Sequence, residues 1–252
     1  MSNQRLLSLD VFRGITIAGM ILVNNPGNWS TVYAPLLHAN WHGSTPTDWV
    51  FPFFLFIMGV AVPLALGRRL ARGHTPRQLI SKVFTRTLII FGLGLFLAAF
   101  PYFGWRAPQP TNMKTVHYVL LALAMLAIFG RGILQQKRFS DERFVRRRRM
   151  LGYIALGIIA VMIALGFGYY DLSSLRIPGV LQRIALVYFF CSLIFLYIPL
   201  KGQYVLTAGI LLLYWGLMTL VPVPGYSAAS LDPEANLGAW LDRLILGTEH
   251  LW

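Results

Sequence analysis

A short polar and aromatic segment, residues 28–48, contains side chains that could perform proton transfer. His38 and Asp48 lie within it, with Trp41 between them. A neutral imidazole serves as a general base or as a nucleophile near neutral pH. A nearby carboxylate can fix the tautomer of such an imidazole and stabilise its cation. The segment therefore predicts a histidine–carboxylate pair, with His38 and Asp48 as catalytic candidates.

Other interpretations apply to the same segment. His38 could be an ordinary surface histidine, and Thr47 or Asp48 could be the N-cap of the helix that follows. The spacing of His38 and His42 would also suit two metal ligands on a helix. However, proline and glycine crowd the segment, and no third His, Cys or Glu ligand is near in sequence. We therefore expect no metal site.

The first apolar stretch carries polar side chains along one side. Asp10 and Arg13 are three residues apart, which makes them neighbours on a helix. Asn24 follows Arg13 after eleven residues, and eleven steps of about 100° return to within about 20° of the same face. Lipid tolerates ionisable groups poorly, so this stripe is a functional candidate. The alternative is an ion pair that only seats the helix at the interface, with Asn24 as its outer cap.

A third polar group lies at the start of a later apolar run, in RIPGVLQRIALVYF (176–189). Pro178 is typical of the first turn of a helix, so Gln182 and Arg183 would enter the membrane on the following turn. Arg176 and Arg183 are seven residues apart, close to two helical turns, so both guanidinium groups could point the same way. A buried arginine needs an anion, either an aspartate of this chain or a phosphate or carboxyl group of a ligand.

These residues must be positioned by helices that cross a membrane. Of the 252 residues, 56% are hydrophobic and 12% are charged, which excludes an ordinary soluble enzyme. Several apolar runs reach about 18 residues or more, enough to cross about 30 Å of hydrocarbon. The pattern predicts an all-α polytopic membrane helix bundle with about seven transmembrane helices, near residues 6–25, 47–67, 85–104, 116–134, 150–170, 178–199 and 204–222.

The charged residues indicate how these helices are oriented. There are 22 lysines and arginines against 9 acidic residues, a formal net charge of +13. Most of the bases flank the cytoplasmic ends of the predicted helices if the N-terminus is cytoplasmic, as the positive-inside rule requires. We therefore expect a cytoplasmic N-terminus. Basic runs such as Arg146–Arg149 are expected to meet the lipid bilayer, and no nucleic acid is expected. The single cysteine, Cys191, excludes an intramolecular disulfide.

The sequence changes character near residue 222. Residues 1–222 form the predicted transmembrane bundle, and residues 223–252 form a polar extracytoplasmic segment. Apolar residues recur at helical spacing between positions 237 and 244, which predicts a short amphipathic helix there. Because the chain stops without a basic cytoplasmic tail, we expect that it is truncated or a fragment of a longer protein. A homodimer would be ordinary for such a bundle.

Four motifs, in order, resemble the heparan-α-glucosaminide N-acetyltransferase family and its bacterial relatives. They are RLLSLDVFRG (5–14), MILVNNPG (20–27), HANWHGSTPTDWVFPFFLFIMG (38–59) and RIPGVLQRIALVYF (176–189), and the resemblance extends over roughly 1–252. It implies a multi-helix bundle that takes acetyl from cytosolic acetyl-CoA. The acetyl group is delivered to the amino group of a glucosamine on the far side of the membrane. Members of the family usually have more membrane helices after the point where this chain stops, so the resemblance also implies that C-terminal helices are missing here.

The resemblance also implies roles for individual residues. His38 matches the active-site histidine of the family pattern and would deprotonate the acceptor amine or carry the acetyl group. Asn24 matches an active-site asparagine and would polarise the carbonyl, while Asp48 would orient or charge-balance the site. The path of the substrate and of acetyl-CoA would involve Asp10, Arg13, Trp41, Gly43, Arg176, Gln182 and Arg183.

The predicted function is therefore an acetyl-CoA-dependent N-acetyltransferase that acts on an amino-sugar or glycan acceptor and uses no metal. The lysosomal members of the family carry an additional luminal N-terminal region, which this sequence lacks. A heparan substrate is thus not implied, and we expect an envelope amino sugar and a bacterial inner membrane. Two alternatives stay open, namely a membrane glycan O-acyltransferase and a transporter or channel that uses the intramembrane polar stripe.

Overall fold

The computed structural model describes residues 6–99, 111–135, 141–169, 175–226 and 228–251. Within these ranges the chain forms eight α-helices and no β-strand. Seven of the helices are long and apolar enough to span a membrane. The prediction of an all-α polytopic membrane protein with about seven spans is confirmed.

The long helices follow one another with mostly short connections. They are α1 (Leu7–Asn24), α2 (Pro46–Ala71), α3 (Pro76–Ala99), α4 (Thr111–Ile133), α5 (Glu142–Tyr169), α6 (Val180–Tyr197) and α7 (Leu200–Leu220). The short helix α8 (Leu237–Leu246) follows α7. Two 3₁₀ turns, Trp29–Thr31 and Ala34–Leu36, shape the connection between α1 and α2.

Proline, glycine and capping residues determine where these helices begin and end. α1 ends at Asn24 because the residue that precedes Pro26 avoids the helical conformation. α2 begins at Pro46, where the missing N–H costs nothing, directly after the N-cap residue Thr45. Past the other end of α2, Gly73 adopts a φ of 87°, a left-handed conformation that stops the helix.

α3 begins earlier than predicted, at Pro76 and not near residue 85. Thr75 and Gln78 form a capping box, in which Gln78 Oε1 accepts from Thr75 N at 3.1 Å and the Thr75 hydroxyl accepts from Gln78 N at 3.4 Å. The apolar-run criterion missed this start because basic residues interrupt the first three turns of the helix. Of the predicted span, residues 100–104 lie outside the described residues.

α5 also begins earlier than predicted, at Glu142 and not near residue 150. The prediction excluded the Arg146–Arg149 run because arginine is not apolar, but arginine is one of the better helix formers. The run therefore belongs to the helix. The predicted last residue, 170, lies outside the described residues.

The chain forms two compact units. The first comprises Met1–Gly94 with Pro178–Gly247, and the second comprises Leu95–Ile177 with Thr248–Trp252. In the first unit, α2 packs against both α1 and α6. In the second unit, α4 packs along α5, and Ile177 N donates to His250 O at 3.3 Å.

The core of the first unit lies between α2, α3 and α6. Its buried residues are Val62, Leu66, Leu79 and Val83. Six partly buried side chains surround them, namely Met58, Leu70, Tyr188, Phe189, Phe195 and Leu196. α1 is joined to α2 by the Phe12 and Phe53 rings, which pack edge to face with centroids 5.0 Å apart. This packing holds together the four helices that carry most of the candidate residues.

α8 is stabilised at its start by one side chain. Asn236 is buried, and its Oδ1 accepts from Ala239 N at 2.8 Å while its Nδ2 donates to Asp232 O at 2.8 Å. Three apolar side chains of α8 remain exposed on neighbouring turns, namely Leu241, Leu244 and Ile245. This arrangement is typical of a helix that lies in a membrane interface.

Candidate functional site

Two features of the first unit form the candidate site, and they lie at opposite ends of its helices. We call the end where α1 stops and α2 starts, residues 24–48, the pair end. We call the end where α1 starts, α2 stops and α3 starts, residues 7–13 and 69–86, the basic end. The antiparallel packing of α1 on α2 separates the two ends by nearly the length of a helix.

His38 and Asp48 are in direct contact at the pair end. His38 Nδ1 lies 2.6 Å from Asp48 Oδ1. At this distance the ring N–H on Nδ1 donates to the carboxylate, so the lone pair of the neutral ring is on Nε2. The His38 side chain is 76% exposed and that of Asp48 is 28% exposed. Nε2 is therefore oriented by a carboxylate and accessible as a base or nucleophile.

The second oxygen of Asp48 organises the loop around His38. Asp48 Oδ2 accepts from Ala39 N at 3.1 Å and from Thr45 N at 2.8 Å. The Thr45 hydroxyl lies 2.6 Å from Leu37 O and 3.1 Å from Asp48 Oδ2, and its single hydrogen serves one of them at a time. One carboxylate thus links residues 37–39 to the first turn of α2.

The start of α2 settles which residue is its N-cap. Thr45 is the N-cap, so neither Thr47 nor Asp48 occupies that position. Asp48 is the third residue of the helix and accepts the N-cap N–H, which is one half of a capping box. Asp48 therefore combines a helix-capping contact with the contact to His38.

Trp41 and Gly43 shape the chain between His38 and α2. Trp41 Nε1 donates to Leu231 O at 2.7 Å, which joins the His38 loop to the segment that precedes α8. Gly43 has a φ of 95°, in the left-handed region where a side chain would be strained. The positions of Trp41 and Gly43 after His38 thus have a structural basis: Trp41 tethers the loop, and Gly43 turns it toward α2.

The polar stripe of α1 spans both ends of the unit. Arg13 Nη1 lies 3.3 Å from Asp10 Oδ1, and both side chains are nearly half exposed. Asn24 is exposed, and its Nδ2 donates to Met20 O at 2.8 Å. One amide hydrogen of Asn24 is left for another acceptor. Arg13 and Asn24 therefore belong to different ends of the candidate site.

A cavity of about 600 Å³ opens between α1, α2, α3 and α6. Its charged lining consists of four cations, Arg13, Arg69, Lys82 and Arg86. Its apolar lining includes Ile17, Phe54, Ile57, Met58 and Val62. Along α2 the lining extends from Phe54 to Arg69, about 22 Å at 1.5 Å per residue. The cavity is elongated, with its charge at the basic end and its apolar part directed toward the pair end.

Three of the four cavity cations were not predicted as site residues. Arg69, Lys82 and Arg86 resemble ordinary positively charged flanks when α3 is assumed to begin near residue 85. Since α3 begins at Pro76, Lys82 and Arg86 are one turn apart on the same helix face. Arg86 lies 5.1 Å from the centre of the Tyr188 ring, a cation–π distance. The Thr75–Gln78 capping box was the sequence signal that could have placed Lys82 and Arg86 on one helix; no sequence signal singled out Arg69.

The polar residues around the start of α6 are not grouped as predicted. Arg176 precedes the helix, which begins at Val180, so helical spacing does not relate it to Arg183. Arg183 is exposed, whereas Gln182 is buried and packs against Gly94 of α3. Within the part of the chain that the structure describes, Gln182 Nε2 has no hydrogen-bond partner. Neither Gln182 nor Arg183 lines the cavity.

No metal centre is evident in the described ranges, because no three His, Cys, Asp or Glu side chains are grouped there in a way that could hold an ion. Residues 38–42 are not helical, so the four-residue spacing of His38 and His42 does not place both rings on one helix face. His38 Nδ1 is engaged with Asp48.

Comparison with known proteins gives a family match and two distant relatives. A family model described as a protein of unknown function, DUF998, matches residues 15–199. Heparan-alpha-glucosaminide N-acetyltransferase from Homo sapiens is 25% identical over 281 aligned residues, which cover 98% of this chain and 32% of the relative. The protein of the same name from Mus musculus is 34% identical over 96 residues, which cover 38% of this chain and 14% of the relative. The resemblance to this N-acetyltransferase is confirmed as a distant homology, and the chain spans about a third of the human relative's length.

Proposed function

Because this chain belongs to the DUF998 family, whose description assigns no function, we propose one from its site. We propose that it is a membrane acyltransferase that moves an acetyl group from acetyl-CoA to the amino group of an amino sugar. The observation that carries this proposal is the His38–Asp48 pair at one end of a cavity-bearing helix bundle whose other end is basic. The distant N-acetyltransferase relatives support the same type of chemistry.

The cavity has the properties that an acyl-CoA donor requires. Its four cations suit the phosphates of the nucleotide, and guanidinium groups pair well with phosphate oxygens. The apolar part of the lining suits the uncharged pantetheine arm. Phe54, the cavity residue of α2 nearest to the pair end, follows Asp48 by six residues, about 9 Å along the helix axis. A donor held by its phosphates would thus extend toward His38.

The pair end supplies what acyl transfer to an amine needs. In the proposed reaction His38 Nε2 takes a proton from the acceptor amine as the nitrogen bonds to the carbonyl carbon. His38 then gives a proton to the sulfur as the carbon–sulfur bond breaks, so CoA leaves as its thiol and the imidazole is neutral again. Asp48 holds the ring and balances its transient charge. The amide hydrogen of Asn24 that Met20 does not use would polarise the carbonyl oxygen.

The charge distribution sets the membrane orientation that we propose for the protein. The basic end would face the cytoplasm, where acetyl-CoA is available, and the pair end would face the other side of the membrane. A bacterial inner membrane and an envelope amino sugar fit this orientation. Direct transfer and a relay through acetylated His38 differ in kinetics, since the first is sequential and the second is ping-pong.

The test is acetyl transfer by the purified chain in liposomes, with labelled acetyl-CoA as donor and glucosamine as acceptor. We expect His38→Ala to lower the rate by about 10²–10⁴-fold, the contribution of a general base. His42→Ala is the matched control, because it removes an exposed histidine from the same loop and should leave the rate unchanged. Thermal unfolding of each variant verifies that it is folded.

Each of the other possible results would contradict one part of the proposal. Equal transfer by wild type and His38→Ala would rule out His38 as the base. A base-labile product would indicate an O-acyltransferase, since O-acetyl esters are hydrolysed by base and N-acetyl groups are not. Glucosamine flux into the liposomes without acetylation would indicate a transporter.

A further inference from the structure

The first turns of α5 carry an unusual concentration of arginine. Arg143 and Arg146–Arg149 follow Glu142, the first residue of the helix. Four of the five side chains are exposed, and Arg148 is half-buried. We call Arg143 and Arg146–Arg149 the arginine collar, because the structure makes them part of a continuous helix.

The length of α5 determines where the collar lies relative to the membrane. The helix has 28 residues and is therefore about 42 Å long, about 12 Å more than the hydrocarbon layer. Its apolar part, Met150–Tyr169, is about 30 Å long and fills that layer. The first eight residues, 142–149, then extend into the headgroup region. With the apolar part in the hydrocarbon, helix length alone places the collar at the depth of the lipid phosphates.

The collar surrounds the helix and does not form a stripe on one side. Successive helical residues are about 100° apart, so Arg146–Arg149 span about 300° of the circumference. A soluble partner such as a nucleic acid or an acidic protein would approach from one side. Headgroups of lipids, by contrast, can contact a helix from several sides at once.

The local energetics of α5 do not explain the collar. Cations near a helix N-terminus are unfavourable by a few tenths of a kcal/mol each, because the macrodipole is positive there. The described acidic residues beside the collar are Asp141 and Glu142, too few to neutralise five guanidinium groups. The collar is therefore left with an excess of positive charge that favours an external anion, and arginine is the side chain best suited to phosphate.

α4 supplies a sixth guanidinium next to the collar. Arg131 lies against Gly152 of α5, so closely that a side chain at position 152 would come within 3.1 Å of Arg131 Nη1. Gly152 is one turn beyond Arg148 and Arg149. A guanidinium from α4 thus lies beside α5 at the boundary between the collar and the apolar part of the helix.

We propose that the arginine collar together with Arg131 is a binding site for the phosphate groups of anionic phospholipids. Such a site would retain phosphatidylglycerol or cardiolipin in preference to phosphatidylcholine. It lies in the second unit, involves none of the proposed catalytic residues, and stands independently of the proposed acyl transfer.

The experiment measures which phospholipids remain bound to the purified full chain, using native mass spectrometry after exchange into mixed micelles of phosphatidylglycerol and phosphatidylcholine. We expect a preference for phosphatidylglycerol at low salt that falls about 100-fold when Arg146, Arg147 and Arg149 are all replaced by Gln. The matched control replaces Arg68, Arg72 and Arg77 by Gln. These three arginines are also exposed and lie at a basic helix end, but they belong to the first unit.

Three results decide the proposal. Loss of the preference in the collar variant and its retention in the control variant would support it. Equal preference in wild type and the collar variant, or loss in the control variant alone, would overturn it. A measurement on wild type needs no folded variant: the preference should fall between 0.05 M and 0.5 M salt, because salt screens charges at exposed sites, and a salt-independent preference would contradict a phosphate site.

Discussion

At the scale of single residues, Asp48 connects the chemistry of the site to its folding. Its Oδ1 faces His38, and its Oδ2 accepts the N–H groups of Ala39 and Thr45. A carboxylate that accepts hydrogen bonds from both the loop and the helix start holds the imidazole in one orientation. We therefore expect substitution of Asp48 to change both the loop and the proposed reaction, and a second variant is needed to separate the two effects.

That separation uses Asp48→Asn and Thr45→Ala. We expect Asp48→Asn to lower acetyl transfer about 10²-fold or more, because an amide does not balance the charge of the His38 imidazolium. It should also cost about 1 kcal/mol of folding stability through the weakened helix start. Thr45→Ala removes the hydroxyl bond to Leu37 O and should cost a similar free energy, with less than about a tenfold loss of rate. Equal losses of rate in the two variants would show that Asp48 acts only through folding.

The cavity cations permit a prediction about the donor. Replacing Lys82 and Arg86 by Gln should raise the KM for acetyl-CoA about 10–100-fold and leave kcat nearly unchanged, since a charged hydrogen bond contributes about 1.5–3 kcal/mol. Steady-state kinetics at two salt concentrations provide the measurement, and the effect should be larger at low salt. Arg72→Gln is the control, because Arg72 is exposed at the same end and does not line the cavity. An unchanged KM in the double variant would exclude the cavity as the donor site.

At the scale of helices, the ends of α3 and α5 contribute more to the proposed binding sites than their centres do. The centre of α3 is apolar and was predicted, but its capping box at Thr75 and Gln78 adds more than two turns at the basic end. Those turns carry Lys82, and they place Arg86 one helical turn beyond it. The first turns of α5 carry the arginine collar in the same way. In both helices the charged ends contain the residues that we propose bind phosphate.

At this scale we predict the effect of removing the hydrogen bond that tethers Trp41 to Leu231. Trp41→Phe keeps an aromatic ring but removes the N–H that donates to Leu231 O, which should cost about 0.5–1.5 kcal/mol. Hydrogen exchange of the amides in residues 228–235 should become faster, because this bond is their link to the His38 loop. The control Trp29→Phe changes an exposed tryptophan of the same connection and should leave those rates as they are. Identical exchange in Trp41→Phe and wild type would contradict the tether.

At the scale of the whole molecule, lipid takes the place of a large buried core. No residue of α7 is buried among those described, and its exposed residues include Leu211, Leu212, Leu213 and Trp215. In water the exposure of these apolar side chains would be unfavourable, whereas in a bilayer they are in contact with hydrocarbon. If consecutive spans cross the membrane in opposite directions, the positive-inside rule assigns a side of the membrane to every connection.

Cysteine labelling tests which side of the membrane each connection faces. In a Cys191→Ser background, Thr31→Cys lies between α1 and α2, and His74→Cys lies between α2 and α3. We expect a membrane-impermeant maleimide to label Thr31→Cys in intact cells, and His74→Cys only after the membrane is permeabilised. Cys191→Ser alone should stay unlabelled in both conditions. The reverse pattern would place the basic end outside and would remove the cytosolic donor from the proposal.

The sequence by itself determined the features that depend on nearby residues. Seven spans were predictable because the length of an apolar run decides whether a helix can cross a bilayer. The contacts of Asp10 with Arg13 and of His38 with Asp48 join residues that are close along the chain. The shape of a short connection restricts where such side chains can go, so residue type and spacing were sufficient to nominate them.

Only the tertiary structure decided which distant residues meet. Arg69 and Lys82 join Arg13 in one cavity because α1, α2 and α3 all line it, and residue type did not distinguish them from other basic flanks. Trp41 reaches Leu231, 190 residues away, through a backbone carbonyl that has no sequence signal. Gln182 packs on Gly94, and Arg183 beside it points elsewhere, because one helical step rotates a side chain by about 100°. Contacts of this kind depend on how whole helices pack, which no local pattern of residues records.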